Sequence, residues 1–311
     1  MFIKKIKMIN NREFTKKNIS KQAILITAYK NYNHLEEIIN FFDDNFEIYI
    51  HIDKKSKISN IEFENLKKYT NVILLSQKFK VNWGGFNHLK SILYLINEAL
   101  KNPNIYYFHL ISGHDFPIKK KSDFIEFFNN NDKEYIDYFN MPKIGYADNG
   151  NMDRIEYYNL FDLFNSKINK QKSLINIFIK IQKRLGIKRS IPSKMPKLYG
   201  GSTWWSLTRE CIKYVSDYTK KNKSLLYRFK YTLCSEEIYF QTIIMNSNFV
   251  SKVTNDNLRY IDWEYRNGNN PANLDYTDYE KIFKTGAFFA RKFEYPLSSE
   301  IVKSIKHSIA E

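Results

Sequence analysis

The chain has 311 residues, 43% hydrophobic and 26% charged, which excludes wholesale disorder and suits one large domain or two modest ones. Its 49 Lys and Arg exceed the 33 Asp and Glu by 16, an excess that favours polyanions (nucleic acid, anionic lipid, nucleotide phosphate) without choosing among them. Cys211 and Cys234 are too few for a disulfide framework, and no run approaches the ~20 apolar residues of a spanning helix, so the expectation is a cytoplasmic protein that rests at most on a membrane face.

Residues 1–20 are polar and basic without periodicity and read as a flexible leader. Strand and helix signals then alternate. Apolar runs over 23–27, 47–52, 71–75 and 106–111 predict four strands, and helical spacing predicts helices over 33–42, 61–69 and 86–100. This alternation predicts an α/β fold with a mostly parallel central sheet flanked by helices. Ligands of such sheets gather at the carboxyl ends of the strands, where Tyr29, Asp53 and Asp115 fall. Residues 162–198 form a basic excursion around a helix over 174–185. Order resumes at Leu198, a helix runs on to about Tyr218, and Ser235 is a plausible N-cap of another. No linker composition marks a second domain.

The sequence has no GxGxxG, GxxxxGK[ST] or HExxH pattern, no paired His at ligand spacing and no DxD triplet; Asp132-Lys-Glu134 reads as a turn. Three features stand out. Glu236-Glu237 opens a helix, the ordinary place for carboxylates facing free N–H groups, yet one of them aimed into a cleft is a candidate general base. Arg291-Lys292 lies in the apolar, strand-like run 287–293, where two cations suit either the solvated side of an edge strand or a waiting phosphate. Tyr199-Gly-Gly-Ser-Thr-Trp-Trp205 and Leu258-Arg-Tyr-Ile-Asp-Trp263 set aromatic rings beside small polar residues, as core packing or as surfaces on which a sugar stacks; Ser202, Trp204, Tyr260 and Trp263 are the candidates there.

Eight segments in order carry a resemblance: Ile24-Leu-Ile-Thr-Ala-Tyr-Lys30, His51-Ile-Asp-Lys-Lys-Ser56, Val81-Asn-Trp-Gly-Gly85, Ile111-Ser-Gly-His-Asp-Phe-Pro-Ile118, Tyr199 to Arg209, Cys234-Ser-Glu-Glu237, Leu258 to Trp263 and Phe288-Phe-Ala-Arg-Lys-Phe293. Over roughly residues 23–295 the chain resembles the core-2/I-branching β-1,6-N-acetylglucosaminyltransferases and the related peptide O-xylosyltransferases, glycosyltransferase family 14. The resemblance implies a GT-A-like fold and inverting, metal-independent transfer from a UDP-sugar to a glycan or lipid-linked saccharide. It implies one catalytic domain over 21–311, nucleotide-binding through 118 and acceptor-binding and catalytic beyond. By position it gives the donor Ile26, Ala28, Asp53, Trp83 and Lys292, with Arg266 or its rival Arg291 as the second diphosphate contact. Glu237 takes the place of the base, and Asp115 and Arg154 fall on the acceptor side. The family's Ser-Pro-Asp-Glu is Cys-Ser-Glu-Glu here, so the proline is lost and the terminal Glu kept.

GlcNAc is the favoured donor sugar, in bacterial surface polysaccharide or lipooligosaccharide synthesis, with UDP-xylose as the alternative. A basic nucleic-acid-binding protein and a non-catalytic sugar-binding module are readings from other classes. The first has thin support, since the basic residues are spread along the chain and no nucleic-acid module is visible.

Overall fold

The structure, a computed structural model, describes residues 20–310; all but the last residue of the expected leader lies outside them. Twelve strands appear in chain order: β1 Lys21–Ala28, β2 Phe46–Ile52, β3 Val72–Ser76, β4 Ile105–Ser112, β5 Asp115–Pro117, β6 Glu134–Ile136, β7 Phe139–Asn140, β8 Tyr199–Gly200, β9 Trp205–Thr208, β10 Val253–Thr254, β11 Arg259–Ile261 and β12 Phe289–Arg291. Seven of them form the main sheet in the order β10-β6-β9-β4-β1-β2-β3. Every pairing in it is parallel except the two made by β9. The fold is therefore the α/β, mostly parallel arrangement expected.

Alternation along β1 sends Ile24, Ile26 and Ala28 to one face and Ala23 and Leu25 to the other. The first face packs under Leu35, Ile38 and Ile39 of helix Tyr32–Phe41 and Ile301, Val302 and Ile305 of helix Ser299–Ser308. The second packs under helices Phe86–Ala99, Arg209–Lys221 and Glu236–Met245. Because both faces are covered, the first strands read as unbroken apolar runs.

A smaller sheet, β11-β12-β5, stands at the carboxyl ends of the main strands. Arg259 joins it to the main sheet: its guanidinium donates to Ser206 Oγ at 2.8 Å, Leu110 O at 3.0 Å and Trp205 O at 2.9 Å. Here β12 is the central strand, paired on both sides, so the edge-strand reading of Arg291 is corrected. Glu134 likewise leaves the turn assigned to it; it opens β6, fully buried, and accepts from Thr208 N at 2.9 Å and Thr208 Oγ1 at 2.7 Å.

Candidate active site

The loops that follow β1, β2 and β4 meet as expected. Asp53 N donates to Ala28 O at 2.8 Å and Gly113 N to Thr27 O at 3.0 Å. Asp53 Oδ1 accepts from Lys55 N at 3.0 Å and Val81 N at 2.9 Å, which fastens the segment leading to Trp83. Trp83 is 60% exposed, with one edge against Phe161 at a centroid distance of 5.9 Å. Gly84 adopts φ +77°, a conformation that favours glycine, and its carbonyl accepts from Cys234 N at 2.9 Å. The exposed indole therefore sits one hydrogen bond away from the start of the helix that carries Glu237.

That helix begins where expected. Ser235 holds the N-cap position, but with φ −58° and ψ −29° it makes no side-chain cap bond and serves through its carbonyl, which accepts from Tyr239 N at 2.9 Å. Such a φ suits proline, which explains how a proline position accepts Ser here. Before it Cys234 stands in the left-handed region at φ +46°, and its carbonyl accepts from Glu237 N at 3.1 Å.

Both carboxylates are engaged, in different ways. Glu237 Oε2 accepts from Arg154 Nη2 at 2.8 Å and Oε1 from Thr203 Oγ1 at 3.3 Å. Arg154 is itself fixed by Leu233 O at 3.1 Å and Cys234 O at 2.9 Å. The Glu237 side chain retains 31% exposure, so solvent or a hydroxyl can reach it. The protein packed around it, aided by Glu236, pushes its pKa above the ordinary carboxylate value, and Arg154 opposes that rise. Glu237 O also accepts from Gly201 N at 2.8 Å. At Gly201 a Cβ would lie 1.9 Å from Asp137 O, so only glycine allows this backbone approach.

Glu236 is buried, and its Oε1 accepts from His88 Nδ1 at 2.9 Å. Burial works against a charged His88 ring, but Glu236 and then Glu237 outweigh it, and the pKa is raised. A histidine whose folded pKa exceeds its unfolded value adds stability that is complete below the unfolded value, near 6.5, and lost as pH rises through the folded one. His88→Gln is thus expected to lower Tm more at pH 6 than at pH 9. A thermal scan across that range checks it; equal losses at both ends would remove the His88 charge from the account.

The opposite wall is cationic. Arg291 stacks over the buried Trp204 ring at 4.3 Å, and its Nε lies 3.5 Å from Oδ1 of the fully buried Asp115, which faces it across β12 and β5. Burial lowers the Arg291 pKa, while Asp115 and Glu237 act to hold its charge, so Arg291 and Glu237 are within electrostatic reach of each other. Lys292 has no ion pair among the described residues. Burial, then Arg291, Lys167 and Lys30, depress its pKa to about 8. Lys30 reaches the same neighbourhood through Glu294 at 2.8 Å, and Lys167 lies over the Tyr29 ring at 4.4 Å.

Other sequence candidates fall elsewhere. Arg266 pairs through its guanidinium with Asp262 at 3.0 Å, Asp275 at 3.0 Å and Asp278 at 2.6 Å, so three carboxylates already compensate its charge. Ile26 is fully buried inside β1, so its side chain faces the core. Ala28 is buried at the strand's end, and Ser202 Oγ accepts from Trp204 N at 3.3 Å. Tyr260 is half-buried in β11, and Trp263 is 64% exposed on the following loop. His88 and Lys167 escaped sequence reasoning, having no local signal, whereas Lys30 closes a motif already quoted. Thr203 lay inside a motif already singled out.

Among the described residues Cys234, Glu236 and Glu237 have ligand atoms within 4.8 Å of one another, a spacing that a metal ion can use. The carboxylates already serve His88 and Arg154, and burial, with both carboxylates, raises the Cys234 thiol pKa well above its usual value. Chemically the group is better suited to holding and moving a proton than to ligating a cation.

Residues 23–283 match the pattern of the Core-2/I-branching enzymes. The chain belongs to that family. Curated relatives of this family member include Xylosyltransferase 1 of Mus musculus, 25% identical over 299 residues (88% of this chain and 28% of the relative), and Xylosyltransferase 2 of Canis lupus familiaris, 26% identical over 278 residues (82% and 29%). The chain thus spans less than a third of the length of these relatives. Two solved structures also align: apo WbbM, a bifunctional glycosyltransferase, at 14% identity and TM-score 0.35 over 92% of this chain and 50% of that one, and the mannosyltransferase Ktr4p of S. cerevisiae with GDP, at 10% and 0.31 over 83% and 73%. At such TM-scores neither adds to the argument. No helix among the described residues is long and apolar enough to cross a membrane.

Proposed function

We propose that this family member is an inverting glycosyltransferase that moves a sugar from a UDP-sugar to a hydroxyl of a glycan or lipid-linked saccharide. Glu237 takes the proton of the acceptor hydroxyl as its oxygen attacks the anomeric carbon; the bond to the diphosphate breaks, and its electrons leave with UDP. Arg291 and Lys292 stabilise the charge that grows on the leaving diphosphate, which is the task a divalent cation performs in other transferases. Ala28, Asp53 and Trp83 hold the uridine, and Arg154 orients the base.

The observation that carries this reading is a partly exposed carboxylate of raised pKa within electrostatic reach of Arg291, next to which Lys292 stands without an ion pair among the described residues. An ammonium held down to about 8 by surrounding cations is a place where a dianion relieves repulsion. The names of the curated relatives make UDP-xylose the first donor to assay, with UDP-GlcNAc beside it.

UDP release from each donor, measured with and without EDTA, tests the proposal. Turnover of one donor that EDTA leaves unchanged is the expected result. Failure to turn over either donor, or strict dependence on an added divalent cation, would count against it.

A further inference from the structure

Helix Asn169–Arg184 has one buried face, which holds Ile175 and Gln182. On a separate stripe Leu174, Ile177, Ile181 and the following Leu185 lie between 48% and 65% exposed. Their spacing of three to four residues sets the four in one line along the helix. Ile168 before the helix and Ile187 after it are exposed as well. At 100° per residue, Lys180 and Arg184 fall along the border of the stripe away from the buried face, and Lys170 lies in line with the stripe at its N-terminal end. None of the three has a carboxylate partner among the described residues. No Asp or Glu occurs between Asp162 and Glu210, a stretch with ten Lys and Arg before Leu198. A surface helix of a water-soluble fold ordinarily puts its apolar stripe inward, so an outward stripe bordered by cations calls for a cover.

We propose that this helix lies in the plane of an anionic lipid bilayer, with Leu174, Ile177, Ile181 and Leu185 in the acyl boundary and Lys170, Lys180 and Arg184 among the headgroups. Charge decides between a bilayer and a second copy of this chain. A twofold contact through this face would set each cluster of cations against its equal, whereas phosphate headgroups neutralise it. The seat of the helix is firm: Gln182 accepts from Tyr158 N at 2.8 Å and donates to Tyr158 O at 3.1 Å, Lys183 pairs with Asp153, and Lys188, just past the helix, pairs with Glu156 at 2.7 Å. These contacts bracket Arg154, so a docked helix would hold Arg154, and Glu237 paired with it, close to the lipid surface. Docking itself does not depend on the glycosyl-transfer reading.

Co-sedimentation of the full chain with phosphatidylglycerol–phosphatidylcholine vesicles at low salt is the test. The wild type is expected to bind these vesicles, to bind pure phosphatidylcholine far more weakly, and to be released in part by salt. Lys180→Gln/Arg184→Gln should weaken binding roughly 25-fold, about fivefold for each charge removed. Ile177→Glu/Ile181→Glu should weaken it by at least about 10-fold. Both pairs are exposed, so circular dichroism should match the wild type, and Glu237→Gln should bind vesicles unchanged. The proposal is overturned if the wild type fails to bind phosphatidylglycerol vesicles at low salt or if both double variants bind like the wild type. It is overturned too if light scattering shows a wild-type dimer that both variants dissolve, since a second copy would then own the face.

Discussion

Glu237→Gln should slow sugar transfer by about 10²–10⁴-fold and leave UDP binding near the wild-type value. Glutamine keeps the shape of the side chain, an oxygen able to accept from Arg154 and an amide able to donate to Thr203 Oγ1, so the loop and the helix start should stay in place. The backbone bond from Gly201 to residue 237 is untouched by the change. What disappears is the ability to take a proton, and with it the general-base step. Lys292, Arg291 and Trp83 do not contact residue 237 through hydrogen bonds, so the nucleotide should not register the loss. Single-turnover transfer and calorimetric UDP titration separate the two effects. A Gln variant that retains more than a tenth of the wild-type rate removes Glu237 from the chemistry.

Arg154→Met should produce the second large effect, and its signature lies in the pH profile. Burial raises the Glu237 pKa and Arg154 is the cation that opposes the rise. Without that cation the carboxyl releases its proton only at higher pH, by about 1–3 units for a close opposite charge. The base must be ionised to act, so the acid limb of kcat/KM should move to higher pH by that amount. The loss should be tenfold or more near pH 6 and smaller at pH 9. Arg154→Lys, which keeps a positive charge but loses the fixed bonds to Leu233 O and Cys234 O, should shift the limb less. An equal loss at every pH would make Arg154 a structural residue only.

The sequence was most informative where local pattern and global fold coincide. The strands expected at 23–27, 47–52, 71–75 and 106–111 appear as Lys21–Ala28, Phe46–Ile52, Val72–Ser76 and Ile105–Ser112, because strands covered on both faces are apolar throughout. The helix expected over 174–185 starts at Asn169 instead, since its first turn is polar and offers no apolar period. Strands of two or three residues, β5 to β8 and β10 to β12, are too short to show any period.

The site followed the same division. Arg291-Lys292 was visible because two cations in an apolar run are costly without an anion, and Glu237 because it keeps its place in a motif. Its partners were hidden by distance along the chain. His88 and Glu236 are 148 residues apart, and Lys30 and Glu294 are 264 apart. The partners of Arg266 are near in sequence, 4, 9 and 12 residues away, but no local pattern tells that Asp262, Asp275 and Asp278 will close around one guanidinium.

The pattern shared with the family stops at residue 283, yet the chain beyond it is woven into the front of the molecule. Arg291 and Lys292 lie after that limit, Glu294 ties back to Lys30, and Ile301, Val302 and Ile305 fill the core beneath Leu35 and Ile38. A protein engineer who trimmed the chain at the edge of the family match would remove the cationic wall and uncover the first helix in one cut. Residues 284–310 are as much a part of the folded unit as the motifs by which it is recognised.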